Sequence, residues 1–410
     1  MGEKRLIERI LAKKLKAELA EYPVVTVFGP RQSGKTTLVR MCCPDFGYVS
    51  MEDRETRDAA STDYKAFFAN HPTPLIIDEV QRLPEIVTAV QTIVDSRRDV
   101  CGQFILTGSQ QTQLAEVVDE SLAGRTSVLD LLPLSAQELS GVLGNLSTDD
   151  CMVRGFMPEL YSHRKNAFSY YRNYFRTYVE RDVRRLVNVK NLLQFERFVS
   201  LLAGRVGQVV NFTSLANETG VSVSTISAWL SVLEASFLVF RLPPHFTNIA
   251  KRVVKSPKVY FTDVGLAAYL IGVEDAVQLR SHPLRGALFE NMVVADIRKE
   301  FTNSGRDPRM SFYRTEKGFE VDVIVEAGGK VVPIEIKSSM TYGKNLIRNL
   351  ELYCDADASA TTPHLIYDGV GMVNLGNKCV MAENWRTGLE CVGGNPAKFI
   401  KQRVLSDLEK

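Results

Sequence analysis

The chain has 410 residues and a near balance of charge, 50 Lys and Arg against 48 Asp and Glu, with a pI near 8.1. That length exceeds one compact core and implies roughly two to four domains, while a net charge of +2 gives no general pull on phosphate and excludes binding to nucleic acid by bulk charge alone. The seven scattered cysteines include no C-x-x-C pair, and no apolar run approaches the ~18 residues of a membrane crossing. With Met1-Gly2-Glu3-Lys4-Arg5 leading into a mixed charged helix instead of a signal sequence, the expectation is a soluble cytoplasmic protein with no membrane partner.

In chain order, the apolar run Val24 to Phe28 reads as a strand, and the octet Gly29-Pro30-Arg31-Gln32-Ser33-Gly34-Lys35-Thr36 fits G-x-x-x-x-G-K-[ST] at every fixed position. The glycines let backbone N–H groups converge on a phosphate, Lys35 supplies a point charge to the outer phosphates, and Thr36 offers a hydroxyl to Mg²⁺. The helix expected from Lys35, with Thr37 in its first turn, adds its positive end. Next, Leu75 to Asp78 reads as a buried strand ending in Asp78-Glu79, where Asp78 would hold Mg²⁺ and Glu79 would polarise an attacking water. The run Gln103 to Gln110 follows as another strand, and Thr107 or Ser109 would sense phosphate or water, or would cap a helix. Arg125, before the apolar stretch Val128 to Leu132, is positioned either to reach a neighbouring subunit's phosphate or to serve as a surface residue. Arg154 is a second candidate for nucleotide contact. Strands near 24–28, 46–51, 74–78, 103–108 and 126–132 alternate with helices and predict a mostly parallel α/β sheet.

From about 149 to 207 the sequence turns helical and aromatic, with tyrosines and arginines interleaved from Tyr170 to Asp182. The rings suit a core and the arginines either a solvated face or nucleic acid. Asn211 to Leu230 reads as two short helices broken at Gly220, and the strands Phe237 to Leu242 and Lys258 to Phe261 would flank a loop carrying Lys251, Arg252 and Lys255. This is a helix-turn-helix pattern with a winged extension, used on a DNA backbone or as a structural wing. Ser222, Ser224, Thr225 and Ser227 offer no bidentate base reader. In the last third, Glu290 falls on a helix, while Asp322 and the pair Glu335 and Lys337 fall on two strands. Alternation sets Glu335 and Lys337 on one face. Glu290, Asp322 and Glu335 would then hold a Mg²⁺ or Mn²⁺ ion that activates water, with Lys337 steadying the reacting charge. A structural Glu–Lys ion pair is the alternative.

Taken together, Gly29 to Thr36, Asp78 to Gln81, Leu106 to Ser109, Gly124-Arg125, Phe289-Glu290, Glu320 to Asp322 and Glu335 to Ser339 resemble a family of prokaryotic AAA-type P-loop ATPases. Its members carry a winged helix and a C-terminal PD-(D/E)xK restriction-endonuclease-like domain of unassigned function. The chain departs from that superfamily's name motif in having Val321 before Asp322. The resemblance implies an AAA-type core over 1–145, a helical lid over 146–207, a winged helix over 208–280 and the nuclease-like domain over 281–410. It implies ATP and Mg²⁺ as cofactors, DNA as a partner and a ring-like homo-oligomer. The catalytic expectation is Lys35, Glu79 and Arg125 for ATP hydrolysis and Asp322, Glu335 and Lys337 for the second site, with Gly29 to Thr37, Asp78 and Ser109 around nucleotide. The rival expectation is a nucleotide-dependent switch whose nuclease-like domain only binds DNA or protein. A small-molecule kinase is disfavoured by the domains that follow the phosphate loop.

Overall fold

The computed structural model describes residues 6–109, 118, 120–144, 146–163, 165–178, 192–245, 255–327, 329–370, 372–376 and 380–386. The five expected strands are β1 (Val24–Phe28), β2 (Gly47–Ser50), β3 (Leu75–Asp78), β4 (Phe104–Gly108) and β5 (Thr126–Asp130). They form one parallel sheet in the order β2-β3-β4-β1-β5. Helices cover both faces: α1 (Leu11–Glu21), α2 (Lys35–Cys42), α3 (Arg54–Thr62), α4 (Tyr64–Asn70) and α5 (Ile86–Ser96). Side-chain alternation divides the strands cleanly. Val24, Phe28, Leu75, Ile77, Phe104 and Leu106 share a core with Val87, Val90 and Val94 of α5. Val25, Val27, Ile76 and Ile105 share the other with Leu11 and Leu15 of α1 and Leu38 and Val39 of α2.

The chain then passes through α6 (Ser140–Leu143), α7 (Thr148–Arg154), α8 (Glu159–Ser162), α9 (Ala167–Tyr174) and α10 (Leu192–Ala203). Tyr170, Tyr171, Tyr174, Phe175 and Tyr178 are buried while Arg172 and Arg176 are exposed, so the aromatic run is core and its described arginines face solvent. The remainder of that run, 179–182, lies outside the described residues. Helix α11 (Phe212–Thr219) stops at Gly220 with φ 71°, and Ser222 caps α12 (Val223–Ala235) by accepting the Thr225 N–H. Strands β6 (Val239–Leu242) and β7 (Lys258–Phe261) pair antiparallel. Lys251 and Arg252 fall outside the described residues, and Lys255 is exposed.

After α13 (Val264–Leu270) and α14 (Ala276–Arg280) comes the long α15 (Arg285–Asn303). A second, mixed sheet follows: β8 (Met310–Arg314), β9 (Glu320–Ala327), β10 (Lys330–Lys337), β11 (His364–Tyr367), β12 (Met372–Leu375) and β13 (Val380–Asn384), ordered β12-β13-β11-β10-β9-β8. The parallel step from β10 to β11 requires a crossover, supplied by α16 (Lys344–Ala356). Helix α15 is buried on nearly all sides because it packs against β5 and α1 of the first sheet, against α13 and β7, and against β10. One apolar core joins residues from Leu134 to Trp385, and a separate one packs the other face of the second sheet against Ile347, Leu350 and Tyr353 of α16. Among the described residues no helix is long and apolar enough to cross a membrane.

Candidate nucleotide site and a second carboxylate cluster

The phosphate loop leaves β1 at Gly29, whose φ is 155° and where a Cβ would lie 2.1 Å from the Leu131 carbonyl oxygen, so only glycine fits. Gly34, at φ 96°, turns the chain into α2. Lys35 is buried and lies across the loop, donating to the carbonyls of Gly29 at 2.9 Å and Pro30 at 3.0 Å. Burial lowers its pKa, and the charges of Glu79 and Asp78 oppose that shift. Asp78 ends β3 as a buried hub: Thr36 and Tyr48 each donate a hydroxyl to its Oδ2 at 2.8 Å, and Thr107 donates to its Oδ1.

Glu79 follows in the left-handed region, φ 56°, a strained setting for a side chain of that size. Its N–H reaches Thr107 Oγ1 at 3.3 Å, and its carboxylate accepts from Gln81 Nε2, which also donates to Ser109 Oγ at 3.0 Å. The parallel register sets the exits of β3, β4 and β1 side by side, which is why Thr36 and Thr107, 42 and 29 positions from Asp78, meet on that one carboxylate. The paired hydroxyl and carboxylate of Thr36 and Asp78 are hard oxygen donors of the kind Mg²⁺ takes, so these residues fit the ion. Beside the loop, Ile7, Thr37, Leu38, Met41, Leu134 and Pro158 help line a cavity of about 190 Å³.

Arg31 stands 5.6 Å from the centre of the Tyr178 ring, and Gln32 Oε1 accepts from the Tyr170 hydroxyl at 2.6 Å. Ser33 is buried, and Arg9 donates to its carbonyl at 2.7 Å. Arg125 lies at the start of β5, level with Val24, and therefore at the opposite end of the sheet from its own phosphate loop. It grips Asp95 through two bonds of 2.7 and 3.1 Å. Arg154 donates to the Leu160 carbonyl at 2.7 Å and stacks on Tyr161.

Near the second sheet Glu290, Asp322, Glu335 and Lys337 do come together, joined by Lys258, Glu320 and Tyr260, to which the sequence alone gave no role there. Lys337 Nζ is 2.6 Å from Glu335 and 3.4 Å from Asp322. Lys258, 1% exposed at the start of β7, sends its ammonium into the carboxylates: 2.6 Å from Glu320, 3.1 Å from Glu290 and 3.9 Å from Asp322. Tyr260 adds a hydroxyl to Glu290 Oε1 at 2.6 Å, and the Ile336 N–H reaches Asp322 Oδ2 at 2.8 Å. Burial raises the pKa of Glu290 and of Glu335 well above the usual carboxylate range, and neighbouring Asp322 adds to both shifts. Burial opposes the charge on Lys258, but Glu290, Asp322 and Glu320 outweigh it and hold the ammonium above its ordinary value.

A divalent ion does not fit this arrangement. Both oxygens of Asp322 face cationic or N–H groups, and Glu290 Oε1 is shared by Lys258 and Tyr260. Glu335 Oε1 is taken by Lys337, which leaves Oε2 buried without a hydrogen-bond partner among the described residues. Among the described residues no three His, Cys, Asp or Glu side chains are arranged to hold a metal. The one signal for Lys258 in the sequence is a lysine opening an otherwise apolar strand, which asks for a buried anion.

Residues 21–140 match the family described as an AAA domain, 146–277 a domain of unknown function (DUF8612) and 285–384 another (DUF4143). An uncharacterized protein of Mycobacterium tuberculosis is 31% identical over 340 residues, spanning 82% of this chain and 75% of the relative. One from Mycobacterium bovis gives the same figures, 31% over 340 residues, 82% and 75%. Among solved structures, a Walker-type ATPase of Pyrococcus abyssi is similar at 16% identity and a TM-score of 0.41, covering 66% of this chain and 98% of the other.

Proposed function

The chain belongs to the same family as these two mycobacterial proteins, and from that premise, together with its AAA domain, we propose that it is an Mg²⁺-dependent ATPase whose nucleotide state is passed to a DNA-handling C-terminal half. The observation that carries the ATPase reading is the Asp78 hub, which joins the phosphate loop through Thr36 to the β4 tip through Thr107. Thr36 and Asp78 would hold Mg²⁺, which would neutralise charge at the outer phosphates. Gly29 to Thr37 surround the phosphates with backbone N–H groups and the positive end of α2. Lys35, now bonded to two loop carbonyls, exchanges them for phosphate oxygens. Glu79, held by Gln81 and facing Ser109, orients the attacking water. The cavity walled by Ile7, Leu134 and Pro158 accepts the base. Arg125 serves a neighbouring copy in a ring, since its own phosphate loop is at the other end of the sheet.

The finer reading takes 146–207 as a helical lid, 208–280 as a winged helix and 281–410 as restriction-endonuclease-like. Ser222, Ser224 and Ser227 are exposed at the start of α12, which suits contact with DNA phosphates without base reading. The second reading, a nucleotide-dependent switch with a non-catalytic C-terminal module, is favoured by Lys258 standing among Glu290, Glu320 and Asp322.

Turnover is tested on the full chain. Glu79→Gln should keep ATP binding and lose at least ~100-fold in hydrolysis, whereas Lys35→Ala should lose binding itself. Hydrolysis by Glu79→Gln at the wild-type rate would refute the role given to Glu79. Incubation with DNA and Mn²⁺ separates the two outputs: cutting abolished by Asp322→Ala would remove the switch reading, and DNA binding without cutting would support it.

A further inference from the structure

We propose that Lys258 is the resident cation of the second site: its ammonium stands among Glu290, Glu320 and Asp322, supplies the positive charge that a metal would otherwise bring, and so keeps a divalent ion out. The inference rests on the switch reading above and names the chemistry that silences the site.

Three carboxylates reach this point from different elements, Glu290 from α15 and Glu320 and Asp322 from β9. Convergence of that kind is how hard cations are held, and acidic oxygens brought together in a buried place repel one another unless a cation lies between them. Lys258 meets the need with three donors on one nitrogen. Its contacts at 2.6 and 3.1 Å are direct, and Asp322 at 3.9 Å completes the ring of charge. The ammonium also stands 5.5 Å from the centre of the Phe312 ring, within cation–π range. Lys337 lies 2.6 Å from Glu335 and 3.4 Å from Asp322, and Arg314 lies 3.4 Å from Glu320, but both side chains are more than a third exposed, whereas that of Lys258 is buried. They leave the buried position to Lys258. An ordinary ion pair needs one carboxylate partner, whereas Lys258 stands among three.

Carboxylates grouped in this way should accept a divalent ion once the lysine is gone. The experiment is Mn²⁺ titration of the nucleotide-free full chain, read by the EPR signal of free Mn²⁺ and by thermal unfolding. All proteins carry Thr36→Ala, so that the phosphate loop does not contribute. With Lys258 present, no Asp322-dependent Mn²⁺ uptake is expected. Lys258→Ala should take up one Mn²⁺ and regain thermal stability when it does, and adding Asp322→Asn should abolish both effects. Asp322-dependent uptake with Lys258 in place would overturn the proposal, as would a folded Lys258→Ala that takes up none. If Lys258→Ala does not fold, Lys258→Gln replaces it, and the titration with Lys258 intact can still overturn the proposal. Neither readout involves DNA. Failure of the switch reading would appear instead as DNA cutting that Asp322→Ala abolishes, a result read independently of the Mn²⁺ titration.

Discussion

Arg9 lies outside every motif, yet its guanidinium holds the phosphate loop from below. It donates to the Ser33 carbonyl at 2.7 Å, to the Leu132 carbonyl at 2.7 Å and to Glu138 at 2.9 Å. The Glu138 side chain is fully buried, so this is a charge pair whose members depend on each other. Arg9→Ala would leave Glu138, among the described residues, with the Ile10 and Ser135 N–H groups, and would take a donor from the Ser33 and Leu132 carbonyls. The expected cost is about 3 kcal/mol, read from chemical denaturation, together with weaker ATP binding because the loop backbone loses a fixed point. An unchanged denaturation midpoint and ATP affinity would refute that role. A similar economy of contacts operates at Glu79, where a left-handed backbone is retained by bonds from its N–H to Thr107 and from Gln81 to its carboxylate.

Among the elements, α15 has the most to do. Its first half carries Glu290 to the second site, and its second half meets the first sheet, where Asp296 accepts the Ala136 N–H at 2.9 Å and Lys299 donates to the Leu134 carbonyl at 2.9 Å. This helix therefore joins the segment that supports Arg9 to the carboxylate cluster, a contiguous physical link on which coupling between ATP and the C-terminal half can act. Its burial also has a pH signature. Burial, with Glu138 adding to it, pushes Glu300 up to about 8, so the folded state binds a proton that the unfolded state releases above its ordinary value. Stability from this group is full below pH ~4.5 and falls by roughly 1.4 kcal/mol per pH unit until about pH 8. Lys299, held down to about 8 chiefly by burial, acts in the opposite sense above that pH. Glu300→Gln should match the wild type in thermal unfolding at pH 5 and exceed it at pH 8. Equal melting temperatures at pH 8 would sink the assignment.

At the scale of the molecule, the core from Leu134 to Trp385 crosses every boundary expected after the first sheet. Segments that share one core unfold together. Hydrogen exchange should give α13 and β10 the same opening free energy, and a chain ending at Leu284 should lose its cooperative transition over 146–277. Independent cooperative unfolding of that shorter chain would contradict the shared core. The first sheet was legible because its signals are local: buried apolar strands of period two, the octet after one of them, and two carboxylates at the end of another. For the same reason the helix break at Gly220 and the pairing of Glu335 with Lys337 could be read from spacing alone. Arg9, Tyr48 and Lys258 could not be, because each acts on residues 24 or more positions away and nothing in their neighbours marks the partner. The sequence by itself determined a phosphate loop, its acidic partner strand and a set of carboxylates near the end of the chain. Only the tertiary structure decided what stands among those carboxylates, since it is the packing of β7 against α15 and β9 that brings a lysine's charge to balance theirs.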